Sequence, residues 1–164
     1  RFSRKEAILV SILLIGGLLI FGIVILLPVE IKKFFPEIFY GLVLDIGSGK
    51  GYLEEFLKKR NIDANIVGID VEKPSSILAS GNELPFKDNS FDGIVCIDSI
   101  HLISSNDFHR VLKKGGLALI SIFFNQENFN EKEKLVEDKI SGFKIISSRV
   151  IKGKESEYMI IAKK

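Results

Sequence analysis

An acidic residue followed by three alternating glycines is the clearest sign of chemistry in the sequence. The run Leu42–Gly51 carries Asp45, Gly47, Gly49 and Gly51 at every second position. Glycines accept positive φ angles and let the backbone approach a ligand closely. A helix that starts after such a turn offers free N–H groups and the positive end of its dipole. The run therefore predicts a nucleotide-binding turn at the carboxyl end of a first strand.

Three further segments follow in order: Gly68-Ile69-Asp70, residues 82–92 (NELPFKDNSFD) and residues 110–116 (RVLKKGG). Together with the glycine turn, they resemble the motifs of class I S-adenosylmethionine-dependent methyltransferases. Lys114 stands where that family usually has proline. A dinucleotide-binding fold prefers the spacing G-x-G-x-x-G, so a nicotinamide-dependent enzyme is disfavoured.

The resemblance implies S-adenosylmethionine as the cofactor and assigns the residues that bind it. Asp45 would hold the methionine amino group, directly or through water, and Asp70 would accept hydrogen bonds from the ribose hydroxyls. Asn82 occupies the position of an adenine-contacting Asp, and its amide still donates and accepts hydrogen bonds. Leu84 would flank the adenine ring. The other predicted cofactor-binding residues are Gly47, Ser48, Gly49, Gly51 and Gly81.

Two catalytic candidates lie in the segment Asp98-Ser99-Ile100-His101 after the predicted fourth strand. Methyl transfer from a sulfonium needs in-line positioning of a nucleophile more than acid or base catalysis. A neutral imidazole at His101 would take a proton from an oxygen nucleophile. Alternatively, His101 caps a loop and packs against its neighbours. Asp98 is a second candidate base, and its alternative role is an N-cap or loop contact.

Composition restricts the other function classes. The chain has 164 residues, a formal net charge of +2, one cysteine and two histidines. This length indicates one domain, and the small charge gives no reason to expect nucleic-acid binding. Cys96 alone forms no intrachain disulfide, and His101 and His109 lack zinc-site spacing, so no metal site is expected.

The elements that position these residues alternate between strand and helix. We predict helices at residues 51–60, 105–111 and 127–139, and strands at residues 42–46, 65–70, near 77–80, 92–98, 117–124, 143–151 and 156–163. This alternation predicts an α/β, three-layer Rossmann-like methyltransferase sheet, mostly parallel with an antiparallel last strand. The last two strands are expected to pair as a hairpin.

Residues 7–29, Ala7 through Val29, contain no charged side chain. As a helix they would span roughly 34 Å, enough to cross a hydrocarbon core of about 30 Å. We predict one N-terminal transmembrane helix within an anchor at residues 1–29. A signal peptide and a buried core helix are the alternatives. The first residue is Arg1, so we expect further residues upstream.

The sequence thus predicts an anchor, a juxtamembrane linker at residues 30–40 and a methyltransferase-like domain at residues 41–164. Lysines flank both ends of the apolar segment, so charge does not fix its orientation. By analogy with the family, we expect a single-pass membrane protein whose catalytic domain is cytoplasmic. The lysines and aromatic residues of the linker suit either the headgroup zone or packing on the domain.

The sequence departs from the family in the acceptor half. The resemblance implies N-terminal helices over the substrate, and the predicted transmembrane helix stands in their place. Only ten residues separate Asp70 from Gly81, too few for a full crossover helix and a strand. We expect the bilayer, a partner membrane subunit or a second copy to complete the site. Methylation of a membrane-associated small molecule or lipid, and a non-catalytic role in assembly or regulation of a membrane complex, both remain open.

Overall fold

The structure is a computed structural model that describes residues 35–72, 75–152 and 156–164. The helices are α1 (Phe35–Ile38), α2 (Tyr52–Lys59), α3 (Asp107–Val111) and α4 (Phe129–Lys139), with a 3-10 helix at Ile100–Leu102. The strands are β1 (Leu42–Ile46), β2 (Asn65–Asp70), β3 (Ile77–Leu78), β4 (Phe91–Ile97), β5 (Leu112–Phe124), β6 (Lys144–Ile151) and β7 (Ser156–Lys163).

The strands form one sheet in the order β3-β2-β1-β4-β5-β7-β6. Neighbouring strands from β3 to β5 run parallel, whereas β7 is antiparallel to both β5 and β6. The carboxyl ends of β1, β2, β4 and β5 therefore share one edge of the sheet. Because β7 runs the opposite way, its first residues reach this edge, where Ser156 pairs with Phe124. The predicted fold class and the terminal hairpin are confirmed.

Two apolar cores cover the faces of the sheet. One core contains Leu44, Ile94 and Ile120 with residues of α3 and α4. The other contains Val43 and Val95 with residues of α1 and α2. The alternation of strand side chains between faces explains the division, because successive residues of a strand point to opposite sides. Both faces are apolar, as expected for a largely parallel sheet covered by helices.

Helix α2 begins directly after the glycine turn. Its buried residues Leu53, Phe56 and Leu57 have i, i+3, i+4 spacing, which places them on one face of the helix. Acidic side chains lie in its first turn and lysines in its last, a distribution that favours the helix dipole. The helix therefore holds the turn at its amino end against the sheet.

Most predicted elements agree with the structure to within two residues, but the fifth strand does not. It begins at Leu112 rather than at residue 117, because Leu112 pairs with Phe91 before a register shift and Leu117 then pairs with Gly93. The Lys-Lys-Gly-Gly segment is thus part of an irregular strand rather than a turn before it.

The end of the predicted linker packs on the domain. Ile38 is fully buried and Phe39 is 3% exposed, and both belong to the core that contains α2. Packing therefore accounts for this part of residues 30–40, whereas Tyr40 is exposed. Within residues 35–72, 75–152 and 156–164, no helix is long and apolar enough to cross a membrane. The predicted transmembrane helix at residues 7–29 lies outside the described residues.

Candidate functional site

The glycine turn is fixed by hydrogen bonds to the neighbouring strand. The N–H groups of Gly47 and Ser48 both donate to the carbonyl oxygen of Ile69, at 2.9 and 3.0 Å. The Gly51 N–H then donates to the Ser48 carbonyl at 2.9 Å. Gly47, Gly49 and Gly51 have φ angles of 78°, 53° and 77°, which residues with a Cβ rarely adopt. The sequence needs glycine at these positions for this backbone path.

Asp70 closes the turn from the end of β2. Its Oδ2 accepts a hydrogen bond from the Gly49 N–H at 2.9 Å, and its Oδ1 accepts one from the Glu72 N–H at 3.1 Å. Each carboxylate oxygen has two lone-pair sites, so Asp70 retains acceptor capacity for ribose hydroxyls. A Cβ built on Gly49 would have no atom within 4 Å. The surface above Gly49 is open, which suits close approach of a ligand.

Asp45 lies beneath the turn and is only 4% exposed. Burial raises its pKa to about 7, and the negative charges of Glu54 and Asp70 contribute to the same shift. A cationic amino group placed here would compensate these carboxylates. Ser48 is also buried, and its Oγ has no hydrogen-bond partner among the described residues. The turn therefore presents an acidic, under-satisfied environment that fits the amino end of S-adenosylmethionine.

Ser99 joins the turn from the end of β4, although it was not among the predicted site residues. A Cβ built on Gly47 would overlap the Ser99 hydroxyl and its Cβ. The Ser99 hydroxyl donates to the Ile97 carbonyl at 3.1 Å. The only sequence signal was the place of Ser99 next to Asp98, because the contact depends on how β1 and β4 align.

Asn82 is held by the loop after the 3-10 helix. Its Oδ1 accepts hydrogen bonds from the Ser104 N–H at 2.6 Å and the Ser104 hydroxyl at 2.9 Å. Gly81 lies near Ile46, at the end of β1, and near Ile103. Gly81, a predicted adenine-site residue, therefore lies against the end of β1.

Leu84 is 3% exposed and belongs to the core on the α3 side, so little of its surface is free for an adenine ring. Val71 offers an alternative apolar surface. It follows Asp70 directly and is 70% exposed. No local pattern predicts this exposure, because a valine next to a strand end is ordinarily expected in the core. The predicted role of Leu84 stays a prediction.

Arg110 connects two of the family-like segments. Its guanidinium donates to the carbonyl oxygens of Leu84 at 3.0 Å and Phe86 at 2.7 Å, and to Asp88 at 2.9 Å. It also pairs with Asp107, which accepts a hydrogen bond from the Leu84 N–H at 2.7 Å. These bonds fix the loop between β3 and β4. An open cleft of about 600 Å³ lies beside the Arg110 side chain and is lined in part by Asn82, Asp107 and Arg110.

The two catalytic candidates differ in their surroundings. Asp98 has a φ of 50°, its N–H donates to the Ser121 carbonyl, and its Oδ1 accepts a hydrogen bond from the Phe123 N–H at 3.3 Å. His101 is exposed within the 3-10 helix, beside Leu102, which is 71% exposed. Asp98 is thus bound to β5, whereas His101 is at the rim of the site. Cys96 is buried in β4, as its apolar neighbours predict.

Comparison with known proteins identifies the same region. Residues 44–120 match the model of a methyltransferase domain. An uncharacterised protein of Methanocaldococcus jannaschii is 31% identical over 134 residues, which cover 67% of this chain and 58% of that protein. The human protein named arginine-hydroxylase NDUFAF5, mitochondrial, is 32% identical over 110 residues, or 57% of this chain and 30% of that protein. The chain thus spans between 30% and 58% of the length of these relatives.

A solved structure supports the fold. The structure of a SAM-dependent methyltransferase from Aquifex aeolicus superposes with a TM-score of 0.59 at 22% identity, covering 81% of this chain and 87% of that chain. The sheet order, the matched domain and the geometry of the turn agree with one another. They confirm the predicted fold, and residues 44–120 are similar to a methyltransferase domain.

Proposed function

We propose that this chain, which carries a class I S-adenosylmethionine-dependent methyltransferase domain, transfers a methyl group to a membrane-associated small molecule or lipid. The observation that carries the proposal is the glycine turn at the carboxyl edge of the sheet. The space above Gly49 is open, and the Gly49 N–H donates to the Asp70 carboxylate. A scaffold without a ligand would not require three left-handed glycines and a buried acid in this place.

The residues of the turn divide the work of binding. Asp70 would accept hydrogen bonds from the ribose hydroxyls. The hydrogen bonds that it accepts from the N–H groups of Gly49 and Glu72 keep the carboxylate oriented. Asp45 would bind the amino group, and its buried position makes that contact strong because little water competes. Val71 would offer its exposed methyl groups to the flat face of adenine. When bound, S-adenosylmethionine supplies an electrophilic methyl group on a sulfonium.

The acceptor side has to orient a nucleophile. His101 is exposed at the rim of the site and would take a proton from an oxygen nucleophile there. Asp98 already accepts a backbone hydrogen bond from β5, so its first role is to fix the end of β4. We therefore favour His101 over Asp98 as the general base.

The apolar segment at residues 7–29 supports a membrane location in this proposal. An anchor would keep the domain at the bilayer surface, where the head group of a lipid or isoprenoid acceptor is within reach. The domain would face the cytoplasm, because S-adenosylmethionine is made and used there. A partner membrane subunit or a second copy would complete the acceptor side.

A second candidate function is a non-catalytic methyltransferase-like subunit that assembles or regulates a membrane complex. Two observations favour it: the short connection between Asp70 and Gly81, and a human relative that is named for arginine hydroxylation rather than for methyl transfer. A fold of this kind does not fix the reaction it supports.

The two functions predict different results with a labelled methyl donor. The full chain in lipid nanodiscs is incubated with methyl-labelled S-adenosylmethionine and a membrane lipid extract, and label is counted in the organic phase. Methyl transfer predicts label that is lost in Asp70→Ala and retained in Asp63→Ala, where an exposed Asp outside the site is removed. Cofactor binding with no label in any fraction would favour the non-catalytic subunit.

A further inference from the structure

Glu157, near the start of β7, is a buried acid without a hydrogen-bond donor among the described residues. Glu157 is 2% exposed, and neither of its carboxylate oxygens has a hydrogen-bond partner among the described residues. Buried carboxylates are normally paired or hydrogen-bonded, because an uncompensated buried charge is costly. The position of Glu157 therefore calls for a partner that the described residues do not provide.

Ser121 on β5 has the same deficit. It is fully buried, and its hydroxyl also has no partner among the described residues. Glu157 pairs with Phe123 across the β5–β7 ladder, and Ser121 lies two residues before Phe123, on the same face. The Ser121 hydroxyl is near enough to favour the ionised form of Glu157, but the two groups do not meet hydrogen-bond geometry. Two neighbouring polar groups are thus buried without a hydrogen-bond partner among the described residues.

Asp98 adds a second carboxylate. Its N–H donates to the Ser121 carbonyl at 3.0 Å, and its charge adds to burial in raising the pKa of Glu157 to about 7. Asp98 keeps a left-handed φ of 50° to reach this place, a strained conformation for a residue with a Cβ. The Asp98 carboxylate therefore lies close to Ser121 and Glu157, whose polar side-chain atoms have no partner among the described residues.

The cluster formed by Asp98, Ser121 and Glu157 is continuous with the cofactor turn. Ser99 contacts Gly47 of the turn, and Asp98 precedes Ser99 directly. β1, β4, β5 and β7 are successive neighbours in the sheet. Three strand spacings separate the turn from Glu157, which is roughly 14 Å. An acceptor that reaches from Glu157 towards the turn would cross the carboxyl end of β4, which is followed by the candidate bases Asp98 and His101.

We infer that the Asp98–Ser121–Glu157 cluster binds a positively charged nitrogen, an ammonium or a guanidinium, on the methyl acceptor. The inference rests on the proposed function, since it concerns the acceptor of that same site. Two carboxylates and one hydroxyl complement a group that only donates hydrogen bonds. A divalent cation prefers six or more oxygen ligands, more than these three side chains offer with ease. The nitrogen anchors the acceptor and need not be the atom that is methylated.

Met159 provides a reporter for this cluster. It is the only methionine in the sequence, it is fully buried, and it pairs with Ser121 across the β5–β7 ladder. In full-chain protein carrying ¹³C-methyl methionine, the Met159 signal is followed during titration with n-butylguanidinium and n-butylammonium. Matched titrations use n-butanol, which is neutral, butyrate, which is anionic, and Mg²⁺. Binding of S-adenosylhomocysteine is measured separately on each preparation.

We expect a saturable shift of the Met159 signal with at least one cationic probe and none with n-butanol. Glu157→Gln keeps the shape of the side chain and should raise the Kd of that probe at least tenfold. Asp98→Asn tolerates the same φ and should also weaken it. Glu127→Gln, which removes an exposed acid after β5, should leave the Kd unchanged.

Equal shifts with n-butanol, saturation by Mg²⁺ instead of the nitrogen cations, or full binding to both Glu157→Gln and Asp98→Asn would overturn the inference. If the unmodified chain does not bind S-adenosylhomocysteine, the proposed function would be overturned instead. The two failures are therefore distinguishable, because the cofactor and the cationic probe are measured in separate titrations.

Discussion

The β1–β2 side of the site and the β5–β7 side satisfy their buried polar groups differently. On the β1–β2 side, the N–H groups of the glycine turn donate to Ile69 and Asp70 at ordinary distances, and the Ser48 hydroxyl is the buried group without a partner among the described residues. On the β5–β7 side, Ser121 and Glu157 have no partners among the described residues. From this difference we expect the backbone of the proposed cofactor side to be organised before binding, and the other side to be completed by the ligand that it binds.

The largest expected effect comes from replacing glycines of the turn. Comparison of two positions separates the cost of a steric overlap from the cost of a positive φ. Gly47→Ala forces a Cβ into the Ser99 hydroxyl at a φ of 78° and should destabilise the fold by on the order of 3 kcal/mol, with loss of cofactor binding. Gly49→Ala meets no atom and should cost only about 1 kcal/mol, yet fill the space of the ligand. Urea unfolding and S-adenosylhomocysteine titration measure both. Equal stability loss in the two variants would contradict the geometry.

The next effect is a pH dependence of stability, which tests whether the buried Glu157 carboxylate lacks hydrogen-bond partners. The pKa of Glu157 is raised from 4.5 to about 7, so its ionised form opposes folding. Stability from this group is present below pH 4.5 and is lost as pH rises through 7, by on the order of 3 kcal/mol. Glu157→Gln should therefore be more stable than the unmodified chain at pH 8 and similar at pH 4.5. Urea unfolding at both values checks this, and a less stable variant at pH 8 would count against it.

A smaller effect concerns the β1–β2 side. The pKa of Asp45 is raised from 3.8 to about 7, so its carboxylate is mostly protonated at pH 6. The ionised form binds an ammonium better, and S-adenosylhomocysteine should bind roughly fivefold more tightly at pH 7.5 than at pH 6. Asp45→Asn should flatten this dependence. Calorimetry across the pH range measures it, and an unchanged dependence in the variant would assign the titration to another group.

The smallest effect on binding is expected at the rim. His101→Ala removes an exposed side chain and should leave both the melting temperature and the S-adenosylhomocysteine affinity unchanged. If His101 is the general base, methyl transfer should fall by roughly 100-fold. Equal loss of binding and transfer would instead make His101 part of the cofactor site.

The strands and the glycine turn of the β1–β2 side could be predicted because their pattern lies in local spacing. Asp45, the three glycines and Asp70 are close to strand ends, and the apolar runs fix the strands that carry them. The predicted strand 65–70 and the hairpin of β6 and β7 agree with the structure for the same reason.

The other side escaped prediction because it depends on register. Glu157 meets Ser121 only through the β5–β7 pairing, and Ser99 meets Gly47 only through the alignment of β1 and β4. The early start of β5 at Leu112 has the same origin, since the pairing with Phe91 overrides a glycine pair that reads as a turn. Contacts of this kind leave no pattern in the local sequence.

Methyl transfer by this chain requires the cofactor site before any other part of the molecule, and calorimetric titration tests that site directly. S-adenosylmethionine and S-adenosylhomocysteine are titrated into the detergent-solubilised full chain, its Asp70→Ala variant and its Asp63→Ala control. We predict micromolar binding that is lost in Asp70→Ala and retained in Asp63→Ala. An absence of binding by the unmodified chain at millimolar ligand would contradict the account.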